Sequence, residues 1–502
     1  MAHTSDPIAG LPRNAGVLLH PTSLPGCYGI GDLGDELVNF LDWAASAGFK
    51  LWQVLPLNPP GYGASPYGCL SSFAGNPLLI SPQRLLHENL LSPEAVAQVP
   101  NFSGQYVEFE RVIEYKNLLL RESFAHYERE ATAEQRASFE TFVQFEQEDW
   151  LGEFALYMAL KEHHGGGAWW QWEPAYAQRD ATTLEHAQQI FAEDIRFHQY
   201  VQWLFFRQWS NVREAAHARG IHIMGDIPIY VAGDSADVWA NRELFQLDED
   251  GNPTVVAGVP PDYFSATGQR WGNPLYRWEA MRETGFAWWV SRIRTNLRFA
   301  DIIRLDHFRG FADYWEIPAS EPTAIHGRWM PGPGVALFHA IQDALGNLPL
   351  IAEDLGFITQ AVHDLRNAIG VPGMKILQFG FGQNDSPHLP HRYDPMTVVY
   401  TGTHDNDTAR GWFETAPESE RDAARQYVGD DPIAWALIRL AYTSVAQTAI
   451  IPMQDILNLG GEARMNRPGA EKDNWSWRMR FGSLTREDAE RLRRLGELTG
   501  RT

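Results

Sequence analysis

Short, dense apolar runs recur along the chain, and segments of helical period separate several of them. The runs are GVLLH at 16–20, KLWQVLPL at 50–57, IHIMGDIPI at 221–229, DIIRLD at 301–306, PLIAEDL at 349–355, MKILQFGF at 374–381, TVVYTGTHD at 397–405 and TAIIPMQDIL at 448–457. Their Val, Ile and Leu on consecutive positions mark strands buried on both faces, the habit of parallel sheets. Helical patterns lie at 33–48 (LGDELVNFLDWAASAG), 191–220 and 334–346 (GVALFHAIQDALG). Eight strands alternating with helices predict an α/β fold, a (β/α)8 TIM barrel.

Two connections are too long for the plain plan. Residues 58–190 separate the second and third strands and contain helix-like stretches such as 106–130, so a mainly helical subdomain is expected there. Residues 230–300 separate the third and fourth and are rich in Gly, Pro and aromatics, as in GNPTVVAGVPPDYFSATGQRWGNPLYRW at 251–278, so a loop-rich subdomain is expected. Insertions after barrel strands stand at the face where such enzymes do chemistry, so both are expected to wall a substrate groove. Residues 1–502 read as one catalytic barrel, and the 45 residues after the last run leave no room for a C-terminal β-sandwich.

The strand ends carry the chemistry. Side chains alternate along a strand, so Ile302, Arg304 and Asp306 face one way and Ile303 and Leu305 the other. Buried charge is costly unless paired, and Arg304 beside Asp306 would hold the carboxylate ionised. The same pair could equally close a barrel layer. The next strand ends in Glu353 and Asp354, and a later one in His404, Asp405 and Asp407, of which Asp354 and Asp407 could be helix N-caps. Three acidic clusters on one rim exceed what caps explain and suggest glycoside chemistry with one acid and one nucleophile. A metal site would want H-x-H or H-E-x-x-H, and neither occurs; His388 and His391, in SPHLPHRYDP, read as solvated. GIGDLG at 29–34 fits G-x-G-x-x-G, but Pro21 and Pro25 separate it from the strand and no acid lies in LWQVLPLNPP downstream, so it reads as a turn and not a nucleotide site.

Composition narrows the partners. The chain has 63 acids against 41 bases, a net charge of −22, which argues against nucleic acid and against an anionic membrane surface. No stretch approaches 18 consecutive apolar residues and the N-terminus lacks a basic region before an apolar core, so neither a membrane span nor a secretion signal is expected. Two cysteines, Cys27 and Cys69, read as free thiols in a reducing, cytoplasmic setting. Nineteen tryptophans and 17 tyrosines are a rich supply; many must be core, and some are expected to line the groove.

IIRLDHFRGF, IAEDLG and YTGTHDNDT resemble the signature segments of amylomaltases, the 4-α-glucanotransferases of glycoside hydrolase family 77, relatives of the α-amylases. HPTSLPGCYGIGDLG, LPLNPPGYGASPYG, SSFAGNPLLI, GDIPIYV and GVPPDYFSATGQRWGNPLY extend the likeness over nearly the whole chain. The resemblance implies transfer of α-1,4-glucan segments between maltooligosaccharides by a retaining mechanism, with no cofactor and no metal. It implies Asp306 as nucleophile, Glu353 as acid/base and Asp405 as a third carboxylate gripping sugar hydroxyls. Arg304 would tune Asp306, and His404 would hydrogen-bond the same sugar. Asp226 would match the aspartate of the α-amylase relatives' first signature and bind substrate, by direct sugar contact or through a structural hydrogen bond. Tyr67 and Trp271 would line the groove, and Asp262 would sit in a loop over the substrate. One departure stands out: many members carry Gln after SPY, where this chain has Gly68. A hydrolytic α-amylase would carry the same carboxylates, and a non-catalytic sugar-binding barrel would be the alternative of another class.

Overall fold

The computed structural model describes residues 13–261, 265–429, 431–470 and 472–502. Twelve strands occur among them, in chain order β1 (Asn14–Leu18), β2 (Leu51–Gln53), β3 (His222–Ile227), β4 (Val255–Val259), β5 (Gln269–Pro274), β6 (Ile302–Leu305), β7 (Asp313–Pro318), β8 (Arg328–Pro331), β9 (Leu350–Ala352), β10 (Gly373–Ile376), β11 (Thr397–Tyr400) and β12 (Thr448–Pro452). Eight of these form one parallel sheet in the order β10-β11-β12-β1-β2-β3-β6-β9, and they are the eight strands expected from the apolar runs. The seam between β9 and β10 is closed by the Ala352 N–H donating to the Pro372 carbonyl at 2.9 Å, which makes the sheet a barrel.

Alternation sorts each strand between two cores. Leu18, Leu51, Met224, Ile302, Ile351, Met374, Ile376, Val398, Tyr400 and Ile450 fill the barrel interior as one cluster, while Val17, Ile303, Leu305 and Ala352 join the outer core under the helices. The interior leaves little space: a Cβ on Gly16 of β1 would lie 2.6 Å from the Leu51 Cβ. The inward row of β6 therefore continues from Ile302 through Arg304 to Asp306, and that of β9 from Ile351 to Glu353.

The segment 58–190 contributes helices Phe109–Glu130, Ala133–Glu146, Gly152–His163 and Ala181–Ile190. The first two pack on the 27-residue helix Ala192–Ala218 through an aromatic cluster of Tyr127, Phe139, Tyr200 and Trp203. The segment 230–300 departs from a loop-rich reading. It supplies β4 and β5, which join β7 and β8 in an antiparallel sheet of order β5-β4-β7-β8. These strands escaped the sequence pattern for physical reasons. β4 carries a register shift between Val256 and Gly258, β5 contains a glycine at φ +84°, and β7 and β8 lie in the connection after β6 with partly solvated faces and no apolar run. GIGDLG is a packed turn, where a Cβ on Gly31 would stand 2.0 Å from the Pro21 carbonyl oxygen. No helix among the described residues is long and apolar enough to cross a membrane. Cys27 is exposed and Cys69 buried, and the two are unpaired.

Candidate active site

The parallel register explains the arginine in an apolar strand. Asp226 of β3 pairs with Arg304 of β6, so the two side chains point into the barrel side by side. Arg304 Nη1 donates to both Asp226 carboxylate oxygens, each at 2.7 Å, and to Asp306 Oδ1 at 2.9 Å. Arg304 and Asp226 are almost wholly buried, with side-chain exposures of 3% and 0%, whereas Asp306 keeps 26%. One guanidinium thus compensates a buried aspartate and leans on a second that opens toward solvent. The Tyr67 hydroxyl donates to Asp226 Oδ2 at 2.7 Å, and its ring stacks on His404 at 5.1 Å. Burial, and then the Asp226 carboxylate, push the Tyr67 hydroxyl well above its ordinary range, so it remains a donor.

Glu353 follows β9, whose Ala352 pairs with Leu305 of β6, so Glu353 and Asp306 stand at equivalent positions one residue past the pairing. Its Oε2 accepts the His307 N–H at 2.8 Å and its Oε1 the Leu355 N–H at 3.0 Å. His307 takes up left-handed backbone, φ 47° and ψ 50°, a costly geometry for a residue with a Cβ, and this turn aims its N–H at Glu353. Burial raises the pKa of both carboxyls, and the negative charge of Asp306 adds to the rise at Glu353. The guanidinium of Arg304 opposes both, but of these two carboxyls it is hydrogen-bonded to Asp306 alone. Asp306 is therefore the carboxyl that ionises first and Glu353 the one that keeps its proton.

Asp405 stands on the loop after β11, with Asn466 Nδ2 donating to its Oδ1 at 2.6 Å and His404 Nε2 3.3 Å from the same oxygen. Burial lowers the His404 pKa although Asp405 opposes it. Trp271 of β5 is 39% exposed and meets the His307 ring edge-on at 4.8 Å. Tyr67, Tyr230, Trp271, Asp306, Asp405 and Trp475 are among the residues walling a groove of about 670 Å³, within the range of small-molecule sites. Gly68 also lines it, and a Cβ there would meet nothing within 4 Å.

The structure thus gathers Asp306, Glu353, Asp405, Arg304, His404, Asp226, Tyr67 and Trp271 at the C-terminal mouth of the barrel, while Asp262 lies outside the described residues. Two acids flagged as possible caps serve otherwise. Asp354 accepts from Arg366 and from the Met374 N–H, bridging β9 to β10, and the N-cap of helix Ala409–Thr415 is Thr408, not Asp407. His388 is half-buried rather than solvated: its Nδ1 accepts the Ile376 N–H at 3.1 Å, and burial lowers its pKa to about 4. Sequence reading missed Asn466, Arg464 and Trp475. Arg464 Nη2 holds the Asp405 carbonyl at 2.6 Å, and Trp475 packs on Tyr67 and His404. No spacing rule links a residue to a partner some 60 positions away.

A sequence profile described as 4-alpha-glucanotransferase matches residues 19–485. The chain belongs to the 4-alpha-glucanotransferase family. It is 49% identical to the 4-alpha-glucanotransferase of Thermus thermophilus over 98% of this chain and 99% of that one. Against the chloroplastic/amyloplastic enzyme of Arabidopsis thaliana the identity is 45%, over 97% of this chain and 86% of that one. Among solved structures, the amylomaltase of Streptococcus agalactiae in complex with acarbose superposes with a TM-score of 0.94 at 39% identity, covering 97% of this chain and 99% of that one.

The charge arrangement of this glucanotransferase has a measurable consequence for stability. Folding raises the Asp306 pKa, so between the unfolded value near 4 and the folded value the native chain binds the extra proton. Stability drawn from this group is complete below about pH 4 and is lost as pH rises through the folded pKa. Asp306→Asn removes that loss. At pH 8 it should be more stable than the natural chain by about 1–3 kcal/mol, seen as a higher thermal midpoint, and the gain should fade toward pH 4. Calorimetry at the two pH values measures it, and a gain that is equal at both would refute this account.

Proposed function

We propose that the chain transfers segments of α-1,4-glucan to the 4-hydroxyl of another glucan or of glucose by double displacement at Asp306. The observation that carries the reading is the pairing of two inward carboxyls on adjacent strands, one hydrogen-bonded to a buried guanidinium and the other not. Neighbouring strands lie about 4.8 Å apart, close to the roughly 5–5.5 Å carboxyl separation of retaining enzymes and too tight for an inverting water.

Asp306, ionised beside Arg304, attacks the anomeric carbon as Glu353 gives its proton to the departing glycosidic oxygen. The C–O bond to the leaving chain breaks and a β-glucosyl ester of Asp306 forms. Glu353, now a carboxylate, takes the proton of an acceptor 4-hydroxyl, whose oxygen displaces Asp306 and restores an α-1,4 bond. Asp405, steadied by Asn466 and next to His404, grips ring hydroxyls of the distorted sugar. Asp226 and Tyr67 hold Arg304 in place rather than touching the reacting bond. Neither metal nor cofactor enters these steps, and the two unpaired cysteines suit a cytoplasmic setting.

Transfer must outcompete water, present at roughly 55 M against acceptors at about millimolar levels, a disadvantage of some 10⁴–10⁵ that effective molarities of about 10⁵–10⁸ M can overcome. Pure maltotriose tests this. A transferase remakes each bond it breaks, so maltotetraose, maltopentaose and longer chains should accumulate with glucose or maltose while total reducing ends stay nearly constant. Reducing ends that climb steadily without longer products would mean a hydrolase instead.

A further inference from the structure

We infer that Trp170 forms a remote subsite at the edge of the groove, one that binds the body of a long α-glucan several sugar rings from the bond being cut. The inference rests on the glucanotransferase reading and adds to it a residue that selects for chain length.

The groove lining gives the position. Trp271 lies 4.8 Å from His307, and Tyr230 6.4 Å from Trp271. The chain then continues through Val231 and Ala232 to Gly233 and Asp234, which also line the groove. Trp170 comes from the helical insertion and meets the groove at Gly233. A Cβ built there would lie 3.7 Å from Trp170 Cζ3 and 3.9 Å from Cη2, so the six-membered ring of the indole sits against a residue with no side chain to cover it. Trp170 is 36% exposed, nearly as open as Trp271.

The segment bearing Trp170 is held rigidly. Asp234 Oδ1 accepts from the Tyr157 hydroxyl at 2.7 Å and from the Trp169 N–H at 3.3 Å, and its Oδ2 from Lys161 Nζ at 2.6 Å. Trp169 is fully buried, and its Nε1 donates to the Gly233 carbonyl at 2.8 Å. Trp170 stands at 78° to Trp169 and faces outward. One tryptophan of the WW pair therefore anchors the insertion to the groove wall and fixes the other beside it. The exposed part of the Trp170 indole, on a clamped segment, offers a preorganised apolar plane that matches the C–H face of a glucose ring at small entropic cost.

The test compares substrates of two lengths. Trp170→Ala should leave kcat/KM on maltotriose within about twofold of the natural chain and lower it on maltoheptaose about 5–10-fold, mainly through KM. Trp170→Phe should recover much of the loss. Equal losses on both substrates, or none on either, would overturn the inference. A binding arm separates it from the catalytic reading. Calorimetric titration of maltoheptaose into Asp306→Asn, with and without Trp170→Ala, should show binding about 5–10-fold weaker in the double variant. If the natural chain transfers no glucan yet this difference appears, the catalytic reading falls and the subsite stands. If maltoheptaose binds both variants equally, or neither, the subsite falls.

Discussion

Asp306→Asn lowers transfer on maltotriose by about 10⁴–10⁶-fold, the scale on which removing a covalent nucleophile acts. The amide keeps the volume of the carboxylate, and Arg304 remains paired with both oxygens of Asp226, so the barrel has no reason to unfold. What disappears is the anion that attacks the anomeric carbon. The arrangement of charges makes the loss specific. Asp226 is an aspartate on the same guanidinium but is wholly buried, so it cannot stand in. Initial rates of maltotetraose formation, with calorimetry showing an intact fold, measure the effect. A variant retaining more than about one hundredth of the natural rate would move the nucleophile elsewhere.

Glu353→Gln should lose about 10²–10⁴-fold on maltotriose, the usual worth of general acid–base catalysis, yet still react with a maltosyl or maltotriosyl fluoride. Fluoride departs without a proton, so the first displacement no longer needs Glu353. The second does, because the acceptor hydroxyl must lose its proton. The ester of Asp306 should therefore accumulate and appear in intact-protein mass spectrometry as a glycosyl adduct. The glutamine retains acceptor capacity for only one of the two N–H groups of His307 and Leu355, so some loss beyond proton transfer is expected. If the fluoride is as poor a substrate for this variant as maltotriose, Glu353 acts structurally and the acid lies elsewhere. An adduct on Asp306→Asn would exclude the assignment of the nucleophile.

The barrel was legible in the chain because each strand announces itself locally. A strand with helices outside and packed side chains inside needs apolar residues on both faces, and eight such runs are enough to define the fold. The acids at the ends of β6, β9 and β11 were legible for the same reason: charge at the end of a run so apolar needs a purpose. Register, by contrast, is a relation between distant segments. Only the folded sheet sets Asp226 beside Arg304, and so decides that one guanidinium serves two aspartates while Glu353 accepts two backbone N–H groups and, among the described residues, no cation hydrogen bond. The support of Asp405 by Asn466 and Arg464, and the sheet that β4 forms with β7, join segments about 60 residues apart, with polar or interrupted sequence that carries no period. Sequence fixes which residues must be buried, because transfer from water is a property of each side chain. Tertiary structure decides which buried charges meet, because hydrogen bonds and Coulomb forces act only at the short distances that folding creates.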